Sequence, residues 1–357
     1  MRKWNFCAGP AVISEEVLSE VKEELLEFNN SGMSIMEMSH RSKIYESVAF
    51  EAKQDFIDIL NIPNTHEVLF MQGGATHQFS MIPLNFAKSK EADYVLSGSW
   101  SKKAISEASK LTKVNTIASS EDDNFSYAPV DSLWNVSEES AYVHYCPNET
   151  IHGVAIHQIP EIKNHLVADM SSVILSEPLD VSKFSLIYAG AQKNIGPAGL
   201  TMVIIDKKLM ELENTELPNI LRYSKHSESD SMLNTPPTFA WYMAGKVFKW
   251  VKKSGGLEYF KEQNYQKASA LYEYIDNSTF YSNPVHGNNR SIMNVPFILA
   301  DNNLDSIFLK ESEESGLLNL KGHRSVGGMR ASIYNAMPLE GVNQLIEFMK
   351  LFEAKYG

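Results

Sequence analysis

Apolar residues recur along this chain in two spacings that alternate. Near the N-terminus Val17, Val21 and Leu25 are four residues apart behind Ser14, which predicts a helix with Ser14 as its N-cap. A longer helical pattern covers about residues 42–60. Short apolar runs with glycine or polar borders, as in buried parallel strands, occupy residues 67–71, 93–96, 140–145, 165–168, 186–188 and 201–205. The alternation predicts an α/β domain with a mainly parallel sheet.

The pattern changes after a long apolar helix predicted over about residues 237–253. This helix ends in two lysines followed by Gly255-Gly256, a cationic last turn with a glycine stop, and we place a domain boundary there. Beyond the boundary, the spacings predict a compact α+β unit with helices over 257–274, 304–315 and 339–356 and a strand over 292–299. Before the boundary, the polar stretch 224–230 is predicted to be an exposed loop.

Composition and charge exclude several classes of protein. The 357 residues are 43% hydrophobic, typical of a globular protein, and exceed the usual size of a single core. The 32 Lys+Arg against 44 Asp+Glu give a formal charge of −12, which argues against a general nucleic-acid binder. The apolar runs are too short for membrane spans, and the N-terminal segment lacks the pattern of a signal peptide. Two cysteines, Cys7 and Cys146, predict reduced thiols in a cytoplasmic protein and no metal site.

One lysine and one aspartate stand where a reactive site is expected. Lys193 follows the run 186–188 inside a Gly/Pro-rich turn. A lysine in a low-dielectric site has a lowered pKa and can form a Schiff base with a carbonyl. Asp169 ends the run 165–168, one strand earlier, and a fixed carboxylate can hold the ring nitrogen of an aldehyde cofactor. A lysine that reaches solvent and an aspartate that caps a turn are the alternatives, and spacing alone does not decide between them.

Two further segments directly follow predicted strands. Residues 72–78, Gln-Gly-Gly-Ala-Thr-His-Gln, place two glycines at the start of a helix, where backbone N–H groups approach a phosphate. A plain strand-to-helix turn uses glycines as well. Trp100 begins another helix, where an indole is able to stack on a planar ring, although such a tryptophan is often simply part of the core.

Cationic side chains are concentrated in two places despite the acidic balance. His40-Arg41 form the first, and His323-Arg324 with Arg330, all close to glycines, form the second. Guanidinium groups bind carboxylate or phosphate through two hydrogen bonds, which favours a small, multiply anionic substrate. Surface arginines paired with acids would give the same pattern.

Several long segments resemble the phosphoserine aminotransferases, pyridoxal-phosphate enzymes of the class-V aminotransferase family. The resemblance covers essentially the whole chain, and its most specific segments are 36–41 (MEMSHR), 144–153 (HYCPNETIHG), 188–200, 234–242 and 321–340. It implies the aspartate-aminotransferase-like fold type I, with a mainly parallel central sheet and a smaller α+β C-terminal domain. The large cofactor-binding domain would span residues 15–255, and the small domain would combine residues 1–14 with 256–357.

The resemblance also implies a role for each candidate residue. Lys193 would bind pyridoxal phosphate as a Schiff base and carry the proton between the substrate Cα and the cofactor C4′, while Asp169 would pair with the ring nitrogen. Trp100 would stack on the ring and Thr150 would bind its hydroxyl side. The implied phosphate-binding residues are Ala75, Thr76 and Gln192, together with Asn234 and Thr235 from the other subunit of a homodimer. The implied substrate-binding residues are Arg330, for the α-carboxylate, and His40, Arg41, His323 and Arg324, for the distal anionic group.

The implied reaction transfers the amino group of glutamate to 3-phosphohydroxypyruvate, giving phosphoserine and 2-oxoglutarate. It belongs to serine biosynthesis, with a possible side role in vitamin B6 biosynthesis. Two positions differ from some family members, Thr76 where they have arginine and Ala8 where they have serine. Two alternatives stay open. One is another aminotransferase of this fold, such as an alanine–glyoxylate type, whose small substrate would not need His323 and Arg324. The other is a binding protein that has lost the cofactor.

Overall fold

The computed structural model describes residues 2–357, which fold into α-helices on either side of a large sheet, with a second group of elements beside it. The helices are α1 (Glu15–Glu24), α2 (Lys43–Leu60), α3 (Gly74–Phe86), α4 (Ser99–Ala108), α5 (Lys207–Met210), α6 (Tyr223–Glu228), α7 (Thr238–Lys253), α8 (Gly256–Asn277), α9 (Asp305–Glu314) and α10 (Leu339–Tyr356). The strands are β1 (Trp4–Asn5), β2 (His66–Met71), β3 (Ala92–Leu96), β4 (Val114–Ser119), β5 (Val143–Tyr145), β6 (Asn148–Glu149), β7 (Val154–Ala155), β8 (Leu166–Asp169), β9 (Leu186–Gly190), β10 (Thr201–Asp206), β11 (Tyr281–Ser282), β12 (Asn294–Leu299), β13 (Leu317–Leu318) and β14 (Met329–Ser332).

The large sheet has seven strands in the order β2-β10-β9-β8-β5-β3-β4. Strand β10 is antiparallel to both of its neighbours, whereas β9, β8, β5, β3 and β4 pair in parallel. Alternate residues of β2 lie on opposite faces of the sheet. Val68 and Phe70 pack with α2 and α7, whereas Leu69 and Met71 pack with α3 and α4. The predicted α/β fold with a mainly parallel sheet is confirmed.

The helix α2 shows why the periodic segments were predictable. Its buried positions Tyr45, Ala52 and Phe56 recur at helical spacing, and the hydroxyl of Ser42 accepts the backbone N–H of Tyr45 at 3.2 Å as an N-cap. The helix ends at Asn61, which adopts a left-handed conformation with φ 48°. Against α7, the rings of Phe56 and Phe248 lie 5.0 Å apart. The observed bounds differ from the predicted ones by a single residue.

The stretch 224–230 is not an exposed loop, and that prediction is wrong. Most of it belongs to α6, where Tyr223 and His226 are buried. The Tyr223 hydroxyl donates to Gln78 Oε1 at 2.7 Å, and the His226 ring nitrogen lies 2.9 Å from the carbonyl oxygen of Ile220. Two inward side chains three residues apart are enough to bury one face of a short helix, while the polar residues between them suggested a loop.

A second core lies outside the large sheet. It is built from α8, α9 and α10 around the sheet β11-β12-β14, and it includes Phe6, next to β1, which pairs in parallel with β13. Leu257 and Phe260, at the start of α8, pack instead in the core of the large sheet. The division into residues 15–255 and residues 1–14 with 256–357 stays a prediction, and residue 1 lies outside the described part of the chain.

Buried amides connect the turn that carries Lys193 to the second core. The side-chain oxygen of Asn194 accepts the backbone N–H of Asn335 at 3.0 Å, and the Asn335 amide donates to the Leu175 carbonyl at 2.7 Å. The amide of Asn264, on α8, donates to Asn335 Oδ1 at 2.9 Å. Because buried amides need partners, this chain of bonds fixes how the elements around Lys193 meet.

No helix within residues 2–357 combines the length and apolar character needed to cross a lipid bilayer.

Candidate active site

Lys193 lies at the centre of the site, three residues after β9 ends at Gly190. Its side chain is 9% exposed, and its Nζ donates to Thr150 Oγ1 at 2.7 Å. Burial lowers the pKa of Lys193 to about 8, although the negative charge of Asp169 acts in the opposite direction. A substantial fraction of the amine is therefore neutral near neutral pH, as a nucleophile requires.

Asp169 is the last residue of β8, the strand beside β9, so the parallel strands bring it to the same edge of the sheet as Lys193. Its carboxylate is buried and accepts the backbone N–H of Ser171 at 3.0 Å. Burial raises the pKa of Asp169, while the hydrogen bond from Ser171 and the charge of Lys193 oppose that increase. The Ser171 hydroxyl oxygen also accepts the N–H of Gly190 at 3.0 Å, which ties the two strand ends together.

Two residues behind Asp169 were not predicted from the sequence. The Tyr188 hydroxyl lies 2.8 Å from His144 Nε2, and its proximity to the Asp169 carboxylate opposes the rise in the pKa of Asp169. Burial lowers the pKa of His144 to about 3, so its imidazole is neutral. Both side chains lie on strands that looked like ordinary core.

Trp100 forms one wall of the site from the first turn of α4. The Lys193 Nζ lies 5.8 Å from the centroid of its indole ring, and the Lys103 Nζ lies 4.2 Å from it. The Trp100 Nε1 is buried and has no partner among the described residues. Lys103 was not predicted, although its i, i+3 spacing from Trp100 on a helix would have placed the two side chains together.

The start of α3 supplies unpaired N–H groups. Gly73, immediately before the helix, has φ 92°, and a Cβ there would lie 2.6 Å from the Cβ of His77, so the turn requires glycine. The N–H of Gly74 donates to Thr201 Oγ1 at 2.8 Å. The N–H groups of Ala75 and Thr76 belong to the first turn and have no partner within the helix, so they are available to an anion.

The other three residues predicted to bind the cofactor phosphate lie at the surface or half-buried. Gln192 is half-buried, and its side chain folds over Gly190, where a Cβ would lie 2.6 Å from Gln192 Oε1. Asn234 and Thr235 are exposed in the loop before α7, and the Thr235 carbonyl accepts from Gln72 Nε2 at 3.2 Å. Their contact with the site of another subunit stays a prediction.

Arg330 brings positive charge to the site from the second group of elements, and His323 lies near it in the loop before β14. Arg330, on β14, donates from Nη1 to the Thr150 carbonyl at 3.4 Å, and its Nε is buried without a partner among the described residues. Burial lowers the pKa of Arg330. Burial and then the nearby cations, Arg330 first among them, lower the pKa of His323. Arg324 is exposed in the same loop.

The two remaining predicted residues, His40 and Arg41, lie in the loop before α2. Arg41 is exposed, and the buried His40 Nε2 has no hydrogen-bond partner among residues 2–357. No hydrogen bond joins either side chain to Lys193 within the described chain, so their part in the substrate site stays a prediction.

Several known proteins that are similar to this chain in sequence and fold are named phosphoserine aminotransferases. The family model for aminotransferase class-V matches residues 3–345. Phosphoserine aminotransferase from Hahella chejuensis is 54% identical over 356 residues, covering 99% of each chain. The structure of phosphoserine aminotransferase from Bacillus circulans subsp. alkalophilus has a TM-score of 0.98 at 45% identity, covering 100% of this chain and 99% of its own. A pyridoxal-phosphate-bound phosphoserine aminotransferase from Trichomonas vaginalis has a TM-score of 0.94 at 40% identity, covering 98% and 100%. The chain therefore belongs to the class-V aminotransferases and, within them, to the phosphoserine aminotransferase family.

Proposed function

We propose that this protein is a pyridoxal-phosphate-dependent aminotransferase that transfers the amino group of glutamate to 3-phosphohydroxypyruvate, giving phosphoserine and 2-oxoglutarate. One observation carries the proposal: a buried lysine of lowered pKa, 5.8 Å from an indole ring, feels the charge of a buried carboxylate on the neighbouring strand, in a chain 54% identical to a phosphoserine aminotransferase. The same cluster argues against the alternative of a binding protein without cofactor, since each group has a use in amino-group transfer.

The side chains around Lys193 fit pyridoxal phosphate. Asp169 is a buried acid that pairs with no arginine within residues 2–357, which suits a protonated ring nitrogen. The buried Trp100 Nε1 likewise has no acceptor in that part of the chain. The N–H groups of Ala75 and Thr76 at the start of α3 suit a phosphate. When bound, the cofactor supplies the electron sink that stabilises negative charge at the substrate Cα. Lys193, Asp169, Trp100, Thr150, Ala75, Thr76 and Gln192 would hold it.

Lys193 has two tasks in this scheme. Its neutral amine would hold the cofactor covalently through the aldehyde carbon, and, once the substrate amine has taken its place there, the same Nζ would serve as the base that moves the proton of the substrate Cα. Thr150 Oγ1 accepts a hydrogen bond from Nζ at 2.7 Å and so holds the amine 5.8 Å from the centroid of the Trp100 ring. The backbone of residue 150 accepts a bond from Arg330, which we assign to the substrate α-carboxylate.

The distal anionic group of the substrate would meet His40, Arg41, His323 and Arg324, and the protein would act as a homodimer. The dimer is supported by exposed apolar side chains between α1 and α2 and on α2, which include Leu26, 87% exposed, and Phe50, 69% exposed. Asn234 and Thr235 would complete the phosphate site of the other subunit. We also infer a cytoplasmic location, which the unpaired cysteines favour.

The capture of pyridoxal phosphate by the apo protein should accelerate with pH up to about 8. The amine of Lys193 reacts only when neutral, and below its pKa of about 8 the neutral fraction falls about tenfold per pH unit. Stopped-flow absorbance on mixing apo protein with cofactor gives the rate at each pH. A lysine dipeptide with blocked termini, in which only an ordinary side-chain amine can react, is the control. If the rate of cofactor capture by the protein kept rising with pH as far as the rate for the dipeptide does, the lowered pKa of Lys193 would be contradicted.

The substrate assignment predicts that the phosphate of 3-phosphohydroxypyruvate contributes strongly to the rate. Removing it should lower kcat/KM by about a hundredfold, the equivalent of one or two lost charge-assisted hydrogen bonds. Steady-state rates with glutamate and either acceptor, phosphorylated or unphosphorylated hydroxypyruvate, measure this ratio. Equal rates would favour the alanine–glyoxylate type of activity.

A variant in the loop before β14 sharpens that experiment. Arg324→Ala should reduce the preference for the phosphorylated acceptor by about tenfold, because one of its cationic contacts is lost. Lys321→Ala is the matched control, since Lys321 is an exposed cation of the same loop. The two variants separate a specific contact from a general loss of positive charge.

A further inference from the structure

A buried carboxylate without an assigned task lies directly before Thr150. Glu149 ends β6 and has 0% of its surface exposed. Its Oε2 accepts the backbone N–H of Trp100 at 2.9 Å, and its Oε1 accepts the backbone N–H of Ser101 at 2.8 Å. The Ser101 hydroxyl donates to Oε1 as well, at 2.7 Å. All three donors belong to the first turn of α4.

Glu149 therefore acts as the N-cap that α4 lacks. The N-cap position of α4 is occupied by Gly98, which has no side chain to accept the free N–H groups of the first turn. A carboxylate at this end of a helix also interacts favourably with the helix dipole. A Cβ on Gly98 would lie 2.6 Å from Glu149 Oε2, so the glycine leaves the room that the carboxylate occupies.

The capping contact links Trp100 to the segment that holds the amine of Lys193. Glu149 holds the backbone of Trp100, and the next residue in the chain, Thr150, holds the amine of Lys193. Two consecutive residues thus determine where the indole ring and the amine stand relative to each other, 5.8 Å apart. A shift of the first turn of α4 would move the ring while leaving the amine in place.

We propose that Glu149 is a positioning residue for the cofactor: as an ionised carboxylate it caps α4 and holds Trp100 at stacking distance from the ring bound at Lys193. The inference rests on the proposed cofactor site. The ionised form is the one that suits three donors, because a protonated oxygen would face a donor. Burial raises the pKa of Glu149, and the bonds from Ser101 and Trp100 oppose that increase.

Glu149→Gln tests the proposal with little change in size. The glutamine amide nitrogen would face an N–H group of Trp100 or Ser101, which turns one attraction into a contact between two donors. We expect the dissociation constant of pyridoxal phosphate, measured by equilibrium dialysis of the apo protein, to rise about tenfold. The near-ultraviolet circular dichroism of the tryptophans should change in the apo protein too, since Trp100 moves. An unchanged dissociation constant would overturn the proposal.

Glu213→Gln is the matched control for general destabilisation. Glu213 is also a buried carboxylate that accepts a backbone N–H and a hydroxyl, both from Ser224, but it pairs with Arg222 and lies between α5 and α6. Both variants should unfold at a lower temperature, and only Glu149→Gln should weaken cofactor binding. Equal weakening in both variants would reduce Glu149 to a structural role and overturn the proposal.

Ser101→Ala keeps the test decisive if Glu149→Gln does not fold. It removes one donor to Glu149, together with the acceptor for the N–H groups of Ser97 and Gly98, without placing two donors in contact. It should raise the cofactor dissociation constant about threefold. An unchanged constant in a folded Ser101→Ala protein would count against the proposal. If the wild-type protein failed to bind pyridoxal phosphate, the proposed function itself would be refuted. Normal binding by the wild type, by Glu149→Gln and by Ser101→Ala would instead refute only the role of Glu149.

Discussion

Replacing Lys193 with alanine is expected to abolish transamination, with kcat falling by about 10⁴-fold or more. The residue supplies both the amine that captures the cofactor and the base that moves the Cα proton, so its loss removes two functions at once. The variant should still fold, because a buried lysine of lowered pKa gives little stability in return for its desolvation. Steady-state rates with glutamate and 3-phosphohydroxypyruvate, and the visible absorbance of protein mixed with cofactor, check both statements.

The control for Lys193→Ala is Lys110→Ala, which removes an exposed lysine that pairs with Glu107. Its rate and its cofactor absorbance should match the wild type. Activity of Lys193→Ala above about 1% of wild type would show that another amine serves in its place. Lys267, the other buried lysine of the described chain, is not suited to that task, since its Nζ already donates to three backbone carbonyls.

The strand pattern of the sequence was enough to bring Lys193 and Asp169 together as candidates, because Asp169 ends one buried strand and Lys193 follows the next, although it did not decide their roles. The carboxyl ends of neighbouring parallel strands share one edge of a sheet, so two residues that end such strands approach each other without further information. Thr150 needed the family resemblance, since it follows a strand of only two residues that shows no distinctive period. Arg330 was already a candidate from its cationic cluster, and only its role needed the resemblance.

Glu149 and Lys103 show what the sequence pattern does not contain. The bond between Glu149 and the start of α4 joins residues 48 and 49 positions apart, and it depends on how β6 approaches that helix. No local spacing predicts this approach. A glycine at the N-cap of α4, where serine or aspartate is usual, was the available clue that a distant side chain accepts the free N–H groups.

Asp169→Asn is the second replacement with a large expected effect, a loss in kcat of about 10³-fold. Asparagine has the same shape and its Oδ1 still accepts the N–H of Ser171, so the strand end is preserved. The amide does not balance a positive charge on the cofactor ring nitrogen, and the electron sink is weakened accordingly. The cofactor should still be captured, because Lys193 is unchanged. Rates and cofactor absorbance, measured on the same sample, separate a slow reaction from failed binding.

The pH dependence of this variant distinguishes an electrostatic role for Asp169 from a purely structural one. The charge of Asp169 raises the pKa of Lys193 against the larger effect of burial, so its removal should move the midpoint for cofactor capture below about 8. The matched control is Asp93→Asn on β3, because Asp93 is a buried aspartate whose carboxylate accepts from Ser137 and Asn115. That variant should keep both the wild-type midpoint and the wild-type kcat. A midpoint that stays in place or rises in Asp169→Asn would mean that the carboxylate does not act on the amine, and the large loss of rate would then need another cause.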